Sequence, residues 1–377
     1  MTAARMIYHG GPVFDGTALH DGWAVSVADG VIDRIGPDTG QDGTRIDLGG
    51  DILAPGYVDL QVNGGGGVMF NDDQSVQTLR SIAAAHRILG ATSILPTLIT
   101  DTPDRTTRAI DAAAEAIAQG VPGIAGLHLE GPHLSVARKG AHDPDLIRPM
   151  TDTDLALYLG AADKLPALMM TIAPENTCPD QVAALTRAGA ILSLGHSDAD
   201  HATCLTYADA GATCVTHLFN AMSQLGNRAP GLVGAALDAP GLAAGLIADG
   251  IHVHPATIAA ALRAKRGPAP VFLVSDAMAP AGTNQTTFVL NGRPVTRTKG
   301  RLTLGDGTLA GADLDLTTAI RVLVQKVDVP LAQALAMATS LPARVARLPR
   351  GTGALMPGTR ADLIRINAAL NGVEVLA

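Results

Sequence analysis

The chain has 377 residues, of which 47% are hydrophobic, 16% charged and 3% aromatic, and its formal net charge is -8. Such a chain builds a large aliphatic core, and its length predicts one large domain plus a smaller one. The acidic balance without a basic patch excludes a nucleic-acid partner, and no apolar run reaches the ~18 residues of a membrane span. Three cysteines, Cys178, Cys204 and Cys214, are too scattered for a disulfide framework. The opening MTAARMIYHG lacks the apolar run of a signal peptide, so a cytoplasmic setting is expected.

In chain order, residues 1–52 read as short strands separated by turns. WAVSVADGVIDRI alternates apolar and polar residues, with Asp29-Gly30 at a hairpin turn. The pattern then changes over residues 53–347. Strand-like runs such as TSILPT, GIAGLHLE, ALMMTIAPE, ILSLGHS and TCVTHLFNA alternate with Ala-rich helical stretches. The helical stretches include SVQTLRSIAAAHRILG, RTTRAIDAAAEAIAQG, DQVAALTRAGA, ATCLTYADAGA, PATIAAALRAKRG and VPLAQALAMAT. This alternation predicts parallel βα units closing into a TIM-type (β/α)8 barrel. A doubly wound open sheet is the alternative, weakened by the lack of GxGxxG after the first strand. At the far end ALMPGTRADLIRI reads as a turn and a strand. Residues 1–52 and 348–377 are each too short to hold a core, so they are expected to pair as one small β-sandwich domain.

Chemistry-bearing residues gather where strands end. Glu130 closes GIAGLHLE, His196 closes ILSLGHS, His217 closes TCVTHLFN and Asp276 closes VFLVSDA. In a barrel such positions meet above the C-terminal face. One carboxylate and two imidazoles suit a catalytic zinc with an open position, and a carboxylate buried in LHLEGP is costly unless paired or metal-bound. Any one of these histidines alone is as readily a satisfied structural group as a ligand, and Asp276 alone would be read as a helix cap. Together they predict a metal site at Glu130, His196 and His217, with Asp276 moving a proton. His128, two residues before Glu130, is expected on the same side of the strand as a supporting group.

Eight stretches, LAPGYVDLQVNGGGG, HLEGPHLSVARKGAH, TIAPE, LGHSDA, THLFNAM, DGIHVHP, SDAMAPAG and TLAGA, occur in this order over nearly the whole chain. In that order the sequence resembles the amidohydrolase superfamily and, within it, the N-acetylglucosamine-6-phosphate deacetylases. Many superfamily members carry an HxH pair at the end of the first barrel strand; Gln61 and Asn63 stand there in this chain. The resemblance therefore implies a single divalent metal, zinc first, with iron, manganese or cobalt also suited to these ligands. A second, weaker metal is left open.

The resemblance further implies substrate contacts at Gln61, Asn63, Ala141, His142, Asn220, Ala221, Arg228, Asp249 and His252. It implies a loop at Leu309, Ala310 and Gly311 closing over the sugar. Asn220, Ala221, Arg228 and His252 would hold the sugar phosphate, with some contacts crossing a homodimer interface. Arg228 read alone is an exposed loop arginine. The implied reaction removes the acetyl group of N-acetyl-D-glucosamine 6-phosphate, with Asp276 as general base then acid and His142 beside the carbonyl oxygen. N-acetylgalactosamine 6-phosphate is the alternative substrate. Other amidohydrolases with a carboxylated lysine are disfavoured, because the nearby Lys139 lies in a loop-like segment. An inactive sugar-phosphate-binding homologue would have lost a ligand or Asp276, and all four residues are present. One departure is His133, where Phe is familiar, which raises the question of an extra metal contact.

Overall fold

The computed structural model describes residues 5–40 and 42–376. The N-terminal tetrapeptide, residue 41 and residue 377, all within the expected small domain, lie outside the described residues. Eight parallel strands form the central sheet: Tyr57–Val62, Ala91–Ile99, Leu127–Glu130, Leu168–Ile172, Ile191–Leu194, Cys214–Val215, Ala243–Leu246 and Val271–Leu273. Their spatial order is their chain order. Closure comes just past the last strand: Val62 bridges Ala277 in parallel, Asp276 N donates to Gln61 O at 3.0 Å, and Asn63 N donates to Ala277 O at 2.9 Å. These residues therefore form a (β/α)8 barrel, not an open sheet.

The strands are buried almost end to end, as expected when side chains fill a barrel on one face and helices cover the other. Each is followed by a helix, the first three being Val76–Ile88, Pro103–Ala118 and Asp152–Lys164. The helices start where their sequences provide caps. Ser75 Oγ accepts from Thr78 N, and Thr151 and Asp154 close a reciprocal capping box. On Pro103–Ala118 the fully buried face is Ala109, Ala113 and Ala116, small side chains that let the helix lie close to the strands.

The chain ends meet in two sheets. One is ordered Val31–Pro37, Trp23–Ala28, Met6–His9, Thr44–Asp47; the other Val373–Val375, Leu363–Ile366, Ile52–Pro55, Val13–Phe14, Leu19–His20. Between them lies a separate core that includes Tyr8, Val25, Ile32, Leu48, Leu53 and Leu363. Asp29 and Gly30 adopt φ of 52° and 73°, the left-handed pair of a tight hairpin. The strand Ile52–Pro55 crosses the expected division between residues 52 and 53. All four of its residues pair with Leu363–Ile366, so the barrel begins at Tyr57.

A further difference lies after the eighth barrel strand. Thr287–Leu290, Arg293–Thr298, Arg301–Leu304 and Leu309–Ala312 form an antiparallel meander. Its apolar face, Phe288, Leu290, Val295, Leu302 and Leu304, packs on Met69, Ile99 and Met278 at the barrel mouth. The expected loop at Leu309–Gly311 is therefore a strand. Its alternation turns Ala310 into this core, while Leu309 and Gly311 face the pocket. No helix among the described residues is long and apolar enough to cross a membrane.

Candidate active site

Glu130 is the last residue of the third barrel strand. His196 and His217 each lie two residues beyond the fifth and sixth. Both histidines take positive φ, 48° and 29°, which costs a non-glycine residue roughly 1–3 kcal/mol and persists only where the surroundings enforce it. The turns bring three atoms together. Glu130 Oε1 lies 3.2 Å from His196 Nε2 and 3.1 Å from His217 Nε2, and the two Nε2 atoms are 3.0 Å apart. All three residues are at most 5% exposed.

The donor set fits a cation. His196 Nδ1 lies 2.9 Å from the Arg138 carbonyl, which can only accept, so a neutral ring carries its proton there and presents a bare Nε2. That lone pair faces a carboxylate oxygen and a second imidazole nitrogen. Three converging acceptors are satisfied by one divalent ion and poorly by a single proton. Burial alone would raise the Glu130 carboxyl; the His196 and His217 imidazoles against it override that and hold the group well below the usual range. Burial alone would lower His217, yet Glu130 raises it. The cluster draws positive charge to itself.

Asp276 follows the eighth strand by three residues, also at positive φ, 50°. Its Oδ1 accepts from Asn63 Nδ2 at 2.7 Å and from Gln61 Nε2 at 3.2 Å. The same Gln61 amide donates to Glu130 Oε2 at 3.0 Å. The two amides that stand in place of the HxH pair thus serve the carboxylates. Asn63 is fully buried and its Oδ1 has no partner among the described residues. Burial, and next the charge of Glu130, push the Asp276 carboxyl up to about 6.

The pocket above these groups has a volume of about 390 Å³. Of the expected contacts, Asn63, Ala141, His142, Asn220, Ala221 and His252 line it, as do Leu309 and Gly311. Gln61 and Asp249 sit behind the lining. Asp249 Oδ2 lies 2.6 Å from His252 Nδ1 and orients that ring. Two further expected residues do not line the pocket. Ala310 is packed away from the pocket, as its place in the strand requires. Arg228 lies on the exposed loop at 224–229 and does not line this pocket, because the loop runs outward before the helix Gly231–Asp238.

His142 stands beside the cluster, its ring centroid 4.4 Å from that of His196, and atoms of Glu130, His142 and His196 fall within 4.8 Å of one another. Its Nδ1 lies 2.7 Å from Thr100 Oγ1. Burial, and next the charge of His196, keep it well below the usual imidazole range, hence neutral. His128 points into the barrel, as its spacing from Glu130 requires, and burial lowers it to about 4. His133 faces away: its Nδ1 reaches Arg148 O at 2.9 Å and its Nε2 the Tyr158 hydroxyl at 3.0 Å. It is a structural group and makes no contact with Glu130, His196 or His217.

Three supports are absent from the sequence-based reading. Thr100 lies one residue past the second barrel strand and obeys the same strand-end rule as Glu130, His196 and His217. The Arg138 carbonyl and the Arg293 guanidinium, which donates to Ala141 O, have no sequence signal, since each acts through a backbone carbonyl.

Eight parallel strands with a carboxylate, two imidazoles and an aspartate above their C-terminal ends define the barrel class of metal-dependent hydrolase. The amidohydrolase family model matches residues 52–375. A Shewanella N-acetylgalactosamine-6-phosphate deacetylase is 42% identical over 367 residues, covering 96% of this chain and 92% of its own. The Haemophilus influenzae N-acetylglucosamine-6-phosphate deacetylase is 35% identical over 321 residues, covering 84% and 83%. The crystal structure of N-acetylglucosamine-6-phosphate deacetylase from Pasteurella multocida matches with a TM-score of 0.93 at 33% identity, over 98% of both chains. A Mycobacterium smegmatis deacetylase in complex with N-acetyl-D-glucosamine-6-phosphate matches at 0.90 and 30%, over 99% and 97%. The chain belongs to the amidohydrolase family.

Proposed function

We propose that this protein hydrolyses the acetamide of N-acetyl-D-glucosamine 6-phosphate to D-glucosamine 6-phosphate and acetate. One observation carries the reading: Gln61 joins Glu130, one of three converging acceptors, to Asp276 at 3.0 and 3.2 Å in a single pocket. Named relatives with this activity span most of the chain.

Glu130, His196 and His217 would hold one divalent ion, zinc by preference; Fe²⁺, Mn²⁺ and Co²⁺ also suit two imidazoles and a carboxylate. Such an ion supplies Lewis acidity, lowering the pKa of water and polarising a carbonyl oxygen. The remaining work falls to the chain. Asp276, with Oδ1 held by two amides, takes a proton from the attacking water and returns it to the leaving nitrogen, which cannot depart as an anion. His142 Nδ1 lies 2.7 Å from Thr100 Oγ1; with Thr100 as the donor of that bond, His142 Nε2–H would be left to donate to the carbonyl oxygen. The unpartnered Asn63 Oδ1 awaits a donor, an N–H or O–H of the sugar.

For the phosphate, His252 oriented by Asp249 joins Asn220 and the Ala221 backbone. Arg228 serves the pocket of a second copy in a homodimer, which agrees with its exposure on a loop outside its own pocket. Free cysteines agree with a cytoplasmic setting. A second reading, the galacto epimer as substrate, is favoured by the 42% identity to the Shewanella enzyme. Acetate release from both phosphorylated epimers, compared at equal metal content, decides between them. Release from neither would contradict the proposal.

A further inference from the structure

Beneath the ligands, four buried polar side chains that take no part in the proposed chemistry are joined in one chain of hydrogen bonds. His128 Nδ1 lies 3.0 Å from Leu60 O, His128 Nε2 2.8 Å from Thr171 Oγ1, Thr171 Oγ1 2.7 Å from Thr216 Oγ1, and Thr216 Oγ1 2.6 Å from Ser193 Oγ. The Leu60 carbonyl can only accept, so His128 carries its proton on Nδ1 and accepts on Nε2. The sense of the chain follows: Ser193 donates to Thr216, Thr216 to Thr171, Thr171 to His128, and His128 to Leu60. None of the four is more than 4% exposed, and none lines the pocket.

Each ligand rests on this chain. Thr171 is the register partner of Glu130. Thr216 immediately precedes His217. Gly195 immediately precedes His196, and a Cβ there would lie 2.8 Å from both Thr171 Cγ2 and Thr216 Cβ. The strained turns at His196 and His217 are thus seated on two threonines whose hydroxyls cannot shift without breaking a neighbour's bond.

We propose that the Ser193–Thr216–Thr171–His128 chain is a positioning element that presets Glu130, His196 and His217 for a divalent cation while touching neither cation nor substrate. It rests on the reading of those three residues as a metal site.

The test uses Co²⁺ itself, titrated into the metal-stripped full-length protein and followed by its visible absorption, with kcat and KM measured at saturating Co²⁺. Thr171→Val keeps the shape and removes the hydroxyl. It is expected to weaken Co²⁺ binding about ten- to a hundredfold, shift the absorption band and lower kcat while leaving KM unchanged. Thr171→Ser restores the hydroxyl and is expected to restore all three. Wild-type affinity and kcat in Thr171→Val overturn the inference, as does a Thr171→Ser variant impaired as severely as Thr171→Val. Should Thr171→Val not fold, Ser193→Ala at the end of the chain carries the test. Weaker Co²⁺ binding supports the inference, and wild-type binding overturns it. A wild-type protein that binds no Co²⁺ contradicts the metal site itself; binding left unaltered by the variants overturns only the positioning role.

Discussion

Asn63 donates its side-chain amide to Asp276 Oδ1 across 2.7 Å, although 213 positions separate the two residues in the chain. The contact closes the barrel seam between the first and eighth strands at the point where proton transfer is proposed. An amide donor there leaves one carboxylate oxygen committed and the other free. Asn63→Ala is therefore expected to keep metal content and lower kcat on the order of tenfold to a hundredfold. Metal analysis beside steady-state kinetics checks this, and a metal-poor variant would assign Asn63 to the ion instead.

Asp276→Asn removes the proton carrier without changing shape. Turnover is expected to fall about a hundred- to ten-thousandfold while metal content stays at the wild-type level. Near-normal turnover would remove Asp276 from the mechanism.

The acid limb of the pH profile follows from the same group. Burial and Glu130 raise the Asp276 carboxyl to about 6. As a base it must be ionised, so kcat/KM rises with pH through its pKa and is lost below it. A bound cation favours the ionised form and moves the midpoint below 6. A rate that increases as pH falls through this range contradicts the assignment.

Asp59 sits deep in the barrel, 1% exposed, and accepts from Gln61 N at 3.2 Å and Ser275 N at 3.2 Å. Burial raises its carboxyl to about 7, whereas an unfolded aspartate titrates near ~3.9. Between these values the folded chain keeps a proton that the unfolded chain releases. This group therefore costs stability as pH rises through that window. Asp59→Asn is expected to flatten the dependence, read as the shift in urea midpoint between mildly acidic and neutral pH. An unchanged shift would show that Asp59 is ionised throughout.

Arg228 gives a test of assembly. If it serves a second copy's pocket, Arg228→Ala raises KM for the phosphorylated sugar. Mixing that variant with the inactive Asp276→Asn protein, then allowing subunits to exchange, restores part of the low-KM activity. The Asp276→Asn copy supplies Arg228 to a pocket that still has its aspartate. No restoration after demonstrated exchange assigns Arg228 to its own chain.

Much of this site is legible in the sequence because a parallel barrel has a simple rule: side chains just past strand ends converge. Glu130, His196, His217 and Asp276 all obey it, and so does Thr100. The meander at 287–312 is absent from the sequence-based reading although its turns, Asn291-Gly292 and Lys299-Gly300, carry left-handed pairs of the kind hairpins use. Its strands have one solvated face, so they resemble loop more than barrel strand. Arg228 shows the opposite limit. A motif fixes which residue is present but not whether its loop turns toward its own pocket. The chain of Ser193, Thr216, Thr171 and His128 lay outside reach, since Ser and Thr in strands are ordinary and only the fold joins them.

The central claim is a metal-dependent deacetylation in which phosphate is recognised. It is tested most directly by acetate release from N-acetyl-D-glucosamine 6-phosphate, its galacto epimer and the unphosphorylated sugars, using chelator-stripped protein before and after one equivalent of Zn²⁺. The account predicts negligible release from stripped protein, restoration by the single equivalent, and strong preference for a phosphorylated sugar. Undiminished release from fully stripped protein, or equal release from phosphorylated and unphosphorylated sugars, would contradict it.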